Sequence, residues 1–75
     1  MEEKLKEVFA EALGISKDII TDDLKYNEID EWDSVAHMTL VGEIEDSFDI
    51  MLDTDDIIDM SSFAKAKEII SKYLG

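Results

Sequence analysis

The residues best equipped for chemistry are Ser34, with Asp33 before it and His37 three positions after it. A serine, a histidine and a carboxylate are the parts of a nucleophilic catalytic set, in which the imidazole takes the hydroxyl proton and the carboxylate orients the ring. A helical chain of only 75 residues offers neither a deep pocket nor an oxyanion hole to complete such a set, which argues against a hydrolase. Two other roles for Ser34 stay open. It can cap a helix, or it can accept a covalent modification. A serine at the exposed start of a helix has an accessible hydroxyl, and a phosphodiester placed there meets unsatisfied amides and the positive end of the helix dipole. A second cluster, Asp53-Thr54-Asp55-Asp56, has the composition of a calcium loop. It fails as one, because the sixth loop position is Ile58 rather than Gly and the twelfth is Ala64 rather than Glu.

Ser34 has to be positioned by helices. Leu5, Val8, Phe9, Ala12 and Leu13 recur at the spacing of one helical stripe, and Gly14 follows as a stop, so the first helix is predicted over Glu2 to Leu13. From Ile15 to Asp33 no helical period persists. Turn and cap residues there alternate with Ile15, Ile19, Leu24, Ile29 and Trp32, which predicts a long ordered loop pinned by buried apolar side chains. The second helix starts at Asp33 or Ser34 and runs to about Phe48. Asp53 and Thr54 cap a short turn of helix bearing Ile57 and Ile58. Ser61 or Ser62 caps the last helix, whose stripe is Phe63, Ala66, Ile70, Tyr73 and Leu74. The expected architecture is all-α: an antiparallel four-helix bundle of three longer helices and a short third one, forming one domain over residues 1–75.

On a helical wheel with Val35 at zero, Leu40, Val41, Ile44 and Phe48 fall between about 140° and 240°, a stripe suited to one buried face. Val35, Met38 and Gly42 form a second apolar patch beside Ser34. They either pack under the long loop against Trp32 or form a small exposed patch for a partner, where an unbranched Met adapts to several surfaces. His37 falls on the core side, which predicts a packed imidazole with one polar contact, and Trp32 is read as a loop anchor.

Charge restricts the partners. The chain holds 20 acidic and 7 basic side chains, for a net charge of −13. Between Asp18 and Asp59 there are 15 Asp and Glu against Lys25 alone, so the middle of the chain is its acidic face. Such a field repels nucleic acid and anionic lipid and favours partners presenting Lys or Arg. No stretch approaches the roughly 20 apolar residues of a membrane span, and Met1 to Ala10 lacks the apolar run of a signal peptide, so no membrane insertion and a cytoplasmic location are expected. The absence of Cys removes disulfides, thiolate metal sites and a cysteine nucleophile.

Asp33-Ser34-Val35, followed by Met38, Leu40, Val41, Ile44, the acidic residues Glu43, Glu45 and Asp46, and Phe48, resembles the modification helix of the acyl carrier proteins. The likeness continues through Ile50 to Phe63, where Ser61-Ser62 stands for the family's Thr or Ser pair before the last helix, and covers essentially the whole chain. It implies that a phosphopantetheinyl transferase, which brings its own Mg2+, moves 4'-phosphopantetheine from coenzyme A to Ser34. The arm then carries an acyl or aminoacyl group as a thioester for loading and downstream enzymes, and the domain itself is a monomer without catalytic activity. The same resemblance implies that Asp33 presents Ser34 to the transferase and that Val35, Met38 and Met60 flank the arm. Glu43, Glu45 and Asp46 would then meet basic partner surfaces. Two features depart from carriers of fatty acid synthesis: Val35 stands where Leu is commonest, and Glu31-Trp32 replaces a Gly-containing stretch. Trp32 and His37 look more like free-standing carriers of specialised pathways. The competing expectation is an acidic inhibitor that covers a basic surface without being modified.

Overall fold

The computed structural model describes all 75 residues, Met1–Gly75. Four helices follow one another in the chain: α1 (Glu2–Leu13), α2 (Ser34–Phe48), α3 (Thr54–Asp59) and α4 (Phe63–Leu74). The protein is an all-α four-helix bundle with a short third helix and a long ordered loop after the first.

Each boundary has a local cause. Gly14 ends α1 in the left-handed region at φ 67°, where a residue without Cβ is unstrained, and its amide returns to the Ala10 carbonyl. Asp33 caps α2, its Oδ1 accepting from the Ala36 amide at 2.8 Å. Ser62 caps α4 in the same way, its Oγ accepting from the Lys65 amide at 3.0 Å. Asp53 precedes α3 without a side-chain cap bond.

The core is one contiguous cluster drawn from every helix and from the loop. Leu5, Phe9, Leu40, Ile44, Phe63 and Ile70 supply its centre, with no side-chain surface left to solvent. Trp32, from the loop, is also fully buried and meets Phe9 edge to face at 5.3 Å, and Phe9 meets Phe63 in the same manner at 5.0 Å. Edge-to-face pairs of this kind add about 0.5–1.5 kcal/mol each beyond area burial. The loop is thereby held by a side chain as large as any in the bundle.

Backbone bonds hold it as well. The Tyr26 amide donates to the Ser61 carbonyl and the Phe63 amide to the Leu24 carbonyl, both at 2.9 Å, which staples the loop to the α3–α4 connection. The pins differ from expectation at one position. Ile19 is 46% exposed and its neighbour Ile20 is buried instead. A single 3-10 turn over Lys17–Ile19, capped by Ser16, rotates the chain so that the residue after the turn points inward.

No helix is long and apolar enough to cross a membrane.

Candidate functional site

Ser34 occupies the first helical position of α2, is exposed, and its hydroxyl makes no hydrogen bond within the protein. Asp33 fixes that position twice. Its side chain holds the Ala36 amide, and its carbonyl accepts from the His37 amide at 2.8 Å. The amides of Ser34 and Val35 are the first-turn donors without an acceptor, and they lie beside the serine hydroxyl. The arrangement suits a phosphate ester on Ser34, whose oxygens those two amides and the helix dipole favour.

An apolar groove of about 370 Å³ opens at Ser34. His37 and Met38 line it from α2, Ile57, Ile58 and Met60 from α3 and its end, and Tyr26 and Ser61 from the loop and the α3–α4 connection. Val35 at 75%, Met38 at 59% and Ile58 at 72% exposure surround its mouth, so the second apolar patch of α2 stands in solvent rather than under the loop. Met60, expected beside the arm, is 1% exposed: it is part of the core and forms the groove's floor.

The acidic residues of α2 are not equivalent. Asp46 is exposed. Glu45 is half-buried and accepts from the Leu52 amide at 2.9 Å, which fastens the chain after α2. Glu43 is also half-buried, with Oε2 covered and without a partner, facing a cleft shared with Val8, Glu11, Asp46 and Ser47.

His37 is held at both ring nitrogens. Nδ1 accepts from the Trp32 indole N–H at 3.0 Å and Nε2 donates to the Ile57 carbonyl at 2.9 Å. An indole N–H can only donate, so the ring is the neutral Nε2–H tautomer and neither nitrogen is open to take a proton from Ser34. One polar contact was expected; the second comes from a backbone carbonyl twenty residues away in sequence, which helical spacing does not register.

A further group escaped sequence reasoning. Asp56 of α3 is 7% exposed and accepts from the Tyr73 hydroxyl at 2.5 Å and from Lys72 Nζ at 2.9 Å, while the same hydroxyl accepts from the Asp53 amide at 3.0 Å. The Tyr73 bond, then Lys72, holds the Asp56 carboxyl below the usual carboxylate range, and the same contact raises both Tyr73 and Lys72. This clasp fastens α3 to α4. The pattern Asp-Thr-Asp-Asp gave only a failed calcium loop, because its partners lie in the last helix; no cluster of metal-ligating side chains is formed.

A comparison with curated proteins returns no match. Among protein families, the phosphopantetheine attachment site matches residues 3–70, from the second residue of α1 through two turns of α4. An exposed serine at a helix start, with free amides and an apolar groove beside it, fits that group. Carrier domains of this kind are generally not catalytic. The chain therefore belongs to the phosphopantetheine-attachment family, that of the acyl carrier proteins, and is a site for covalently attached 4'-phosphopantetheine.

Proposed function

We propose that Ser34 is the attachment point, and that residues 1–75 act as one monomeric, noncatalytic carrier domain in the cytoplasm. The arm supplies the thiol that bears an acyl or aminoacyl group as a thioester, so a chain without Cys suffices. One observation carries the reading: Ser34 is the exposed first residue of α2, with an unbonded hydroxyl, two amides lacking acceptors and the groove at its side.

Within that reading Asp33 sets the serine's position for a phosphopantetheinyl transferase by organising the first turn. Val35 and Met38 provide apolar contact at the mouth of the groove and Met60 supports it from below. Asp46, with the outward parts of Glu43 and Glu45, meets Lys and Arg on the transferase and on the enzymes that load and unload the arm. Rim charges of this type act chiefly on encounter rate and weaken as salt rises. The features around Trp32 and His37 favour a specialised biosynthetic pathway over bulk fatty acid synthesis.

The test is intact mass after incubation with coenzyme A, Mg2+ and a broad-specificity transferase. The expected result is a gain of about 340 Da, the mass of the arm, that is absent in Ser34→Ala. An unmodified wild type across several transferases would favour the acidic inhibitor instead.

A further inference from the structure

The groove beside Ser34 ends on a wall made by three segments of chain that one side chain joins. His37 of α2 holds the loop through the Trp32 indole and α3 through the Ile57 carbonyl. Its ring also stacks against the indole, 26° from parallel with centroids 6.1 Å apart. Behind it Trp32 is fully buried and continues into the edge-to-face column of Phe9 and Phe63. Of the four clefts only this one is lined by His37 and Tyr26, the two rings that meet Trp32 from the groove. The groove is thus the one cleft that reaches His37, and His37 stands between it and the buried Trp32.

We infer that His37 is a specificity-determining residue that closes the bundle interior to cargo. By tying Trp32 and Ile57 to α2 it confines the carried group to the groove. Short acyl or aminoacyl groups fit there, and a long alkyl chain runs out into solvent. Entry past His37 would separate both of its hydrogen bonds, leaving a buried indole N–H and a carbonyl that an alkyl chain has no group to satisfy. It would also require space in a core that is already filled by large rings.

This inference rests on Ser34 as the attachment point, and two loading routes keep the two ideas apart. In the first, the transferase loads Ser34 with octanoyl and dodecanoyl phosphopantetheine, and intact mass establishes that loading took place. In the second, Ser34→Cys supplies the chain's only thiol and is coupled to octyl and dodecyl groups by disulfide exchange. Each loaded form is then melted while Trp32, the only Trp, reports its surroundings by its emission.

A methylene drawn into the interior raises the melting temperature of a domain this size by about 3–6 °C. The expected result is that the longer and shorter forms melt within about 2 °C of each other, less than the gain from even one of the four methylenes by which they differ, with Trp32 emission unchanged. His37→Gln keeps this behaviour, because its amide can accept from the indole and donate to Ile57. His37→Ala opens a length dependence and shifts the emission. A longer-chain form of the intact protein that melts more than roughly 10 °C above the shorter one, with altered Trp32 emission, overturns the inference whether or not His37→Ala folds. Loss of loading at Ser34 with an unchanged response in the Ser34→Cys series removes the attachment reading and leaves the wall intact.

Discussion

Gly42 lies in the interior of α2, exposed, with a helical backbone and no positive φ. A Cβ built there meets nothing within 4 Å. Alanine at this position adds no clash and buries almost no new surface, so its effect reduces to backbone freedom lost on folding. Replacing a glycine by alanine in a helix interior stabilises by roughly 0.5–1 kcal/mol. Against a total stability of roughly 4–11 kcal/mol for a chain of this length, that is a measurable fraction. Gly42→Ala should therefore raise the melting temperature by about 2–8 °C. The assay is thermal unfolding followed by far-ultraviolet circular dichroism and by Trp32 emission, with urea titration to show an unchanged slope. Neither residue is charged, so the gain should be the same at low and high salt. A melting temperature that stays level or falls would refute the reasoning, because it would mean that the backbone at 42 leaves the helical region in solution or that α2 is not formed there.

Three other outcomes follow from the same geometry. Asp33→Ala removes the cap of α2 and should destabilise by about 1 kcal/mol, lowering the melting temperature by about 4–8 °C, whereas Asp33→Asn keeps a capping oxygen and should melt close to wild type, measured by the same melts. Tyr73→Phe takes away the strongest influence holding the Asp56 carboxyl below its ordinary 3.8. A carboxyl depressed on folding contributes above its unfolded value and ceases to as pH falls through its folded one, so the variant should trail wild type at neutral pH and converge with it only once the pH has fallen below the ordinary 3.8, as read from urea midpoints. Salt should raise the melting temperature, since 20 acidic groups repel one another on a small body; a flat response between about 0.01 M and 0.5 M would show that the charges are well dispersed.

Much of this fold could be read from local chemistry. α1 begins and ends where its apolar stripe and Gly14 place it, and Asp33 and Ser62 cap the helices for which each was one of two candidates. Period and capping are properties of neighbouring residues, so a sequence displays them. Ile20 in place of Ile19 escaped because a three-residue turn has no period to detect. The second bond of His37, the clasp of Asp56 with Tyr73 and Lys72, and the fastening of Leu52 by Glu45 escaped because each partner is set by how elements meet in space. Of the candidate site, Ser34 and its capping Asp were visible as a pair, and the groove beside them was not, since most of its lining comes from α3, the α3–α4 connection and the loop.

The placement of the lysines has a consequence for how the molecule travels. None lies on α2 or α3; all seven sit on α1, the loop and α4, where Lys17 pairs with Glu3, Lys67 with Glu2 and Asp22, and Lys72 reaches back to Asp56. Positive and negative charge are therefore displaced from one another across the bundle, giving it a dipole moment on top of its net charge. In the field of a cationic body such a molecule experiences a torque before it experiences contact, and it turns its lysine-free helices α2 and α3 forward while still several ångströms of water away.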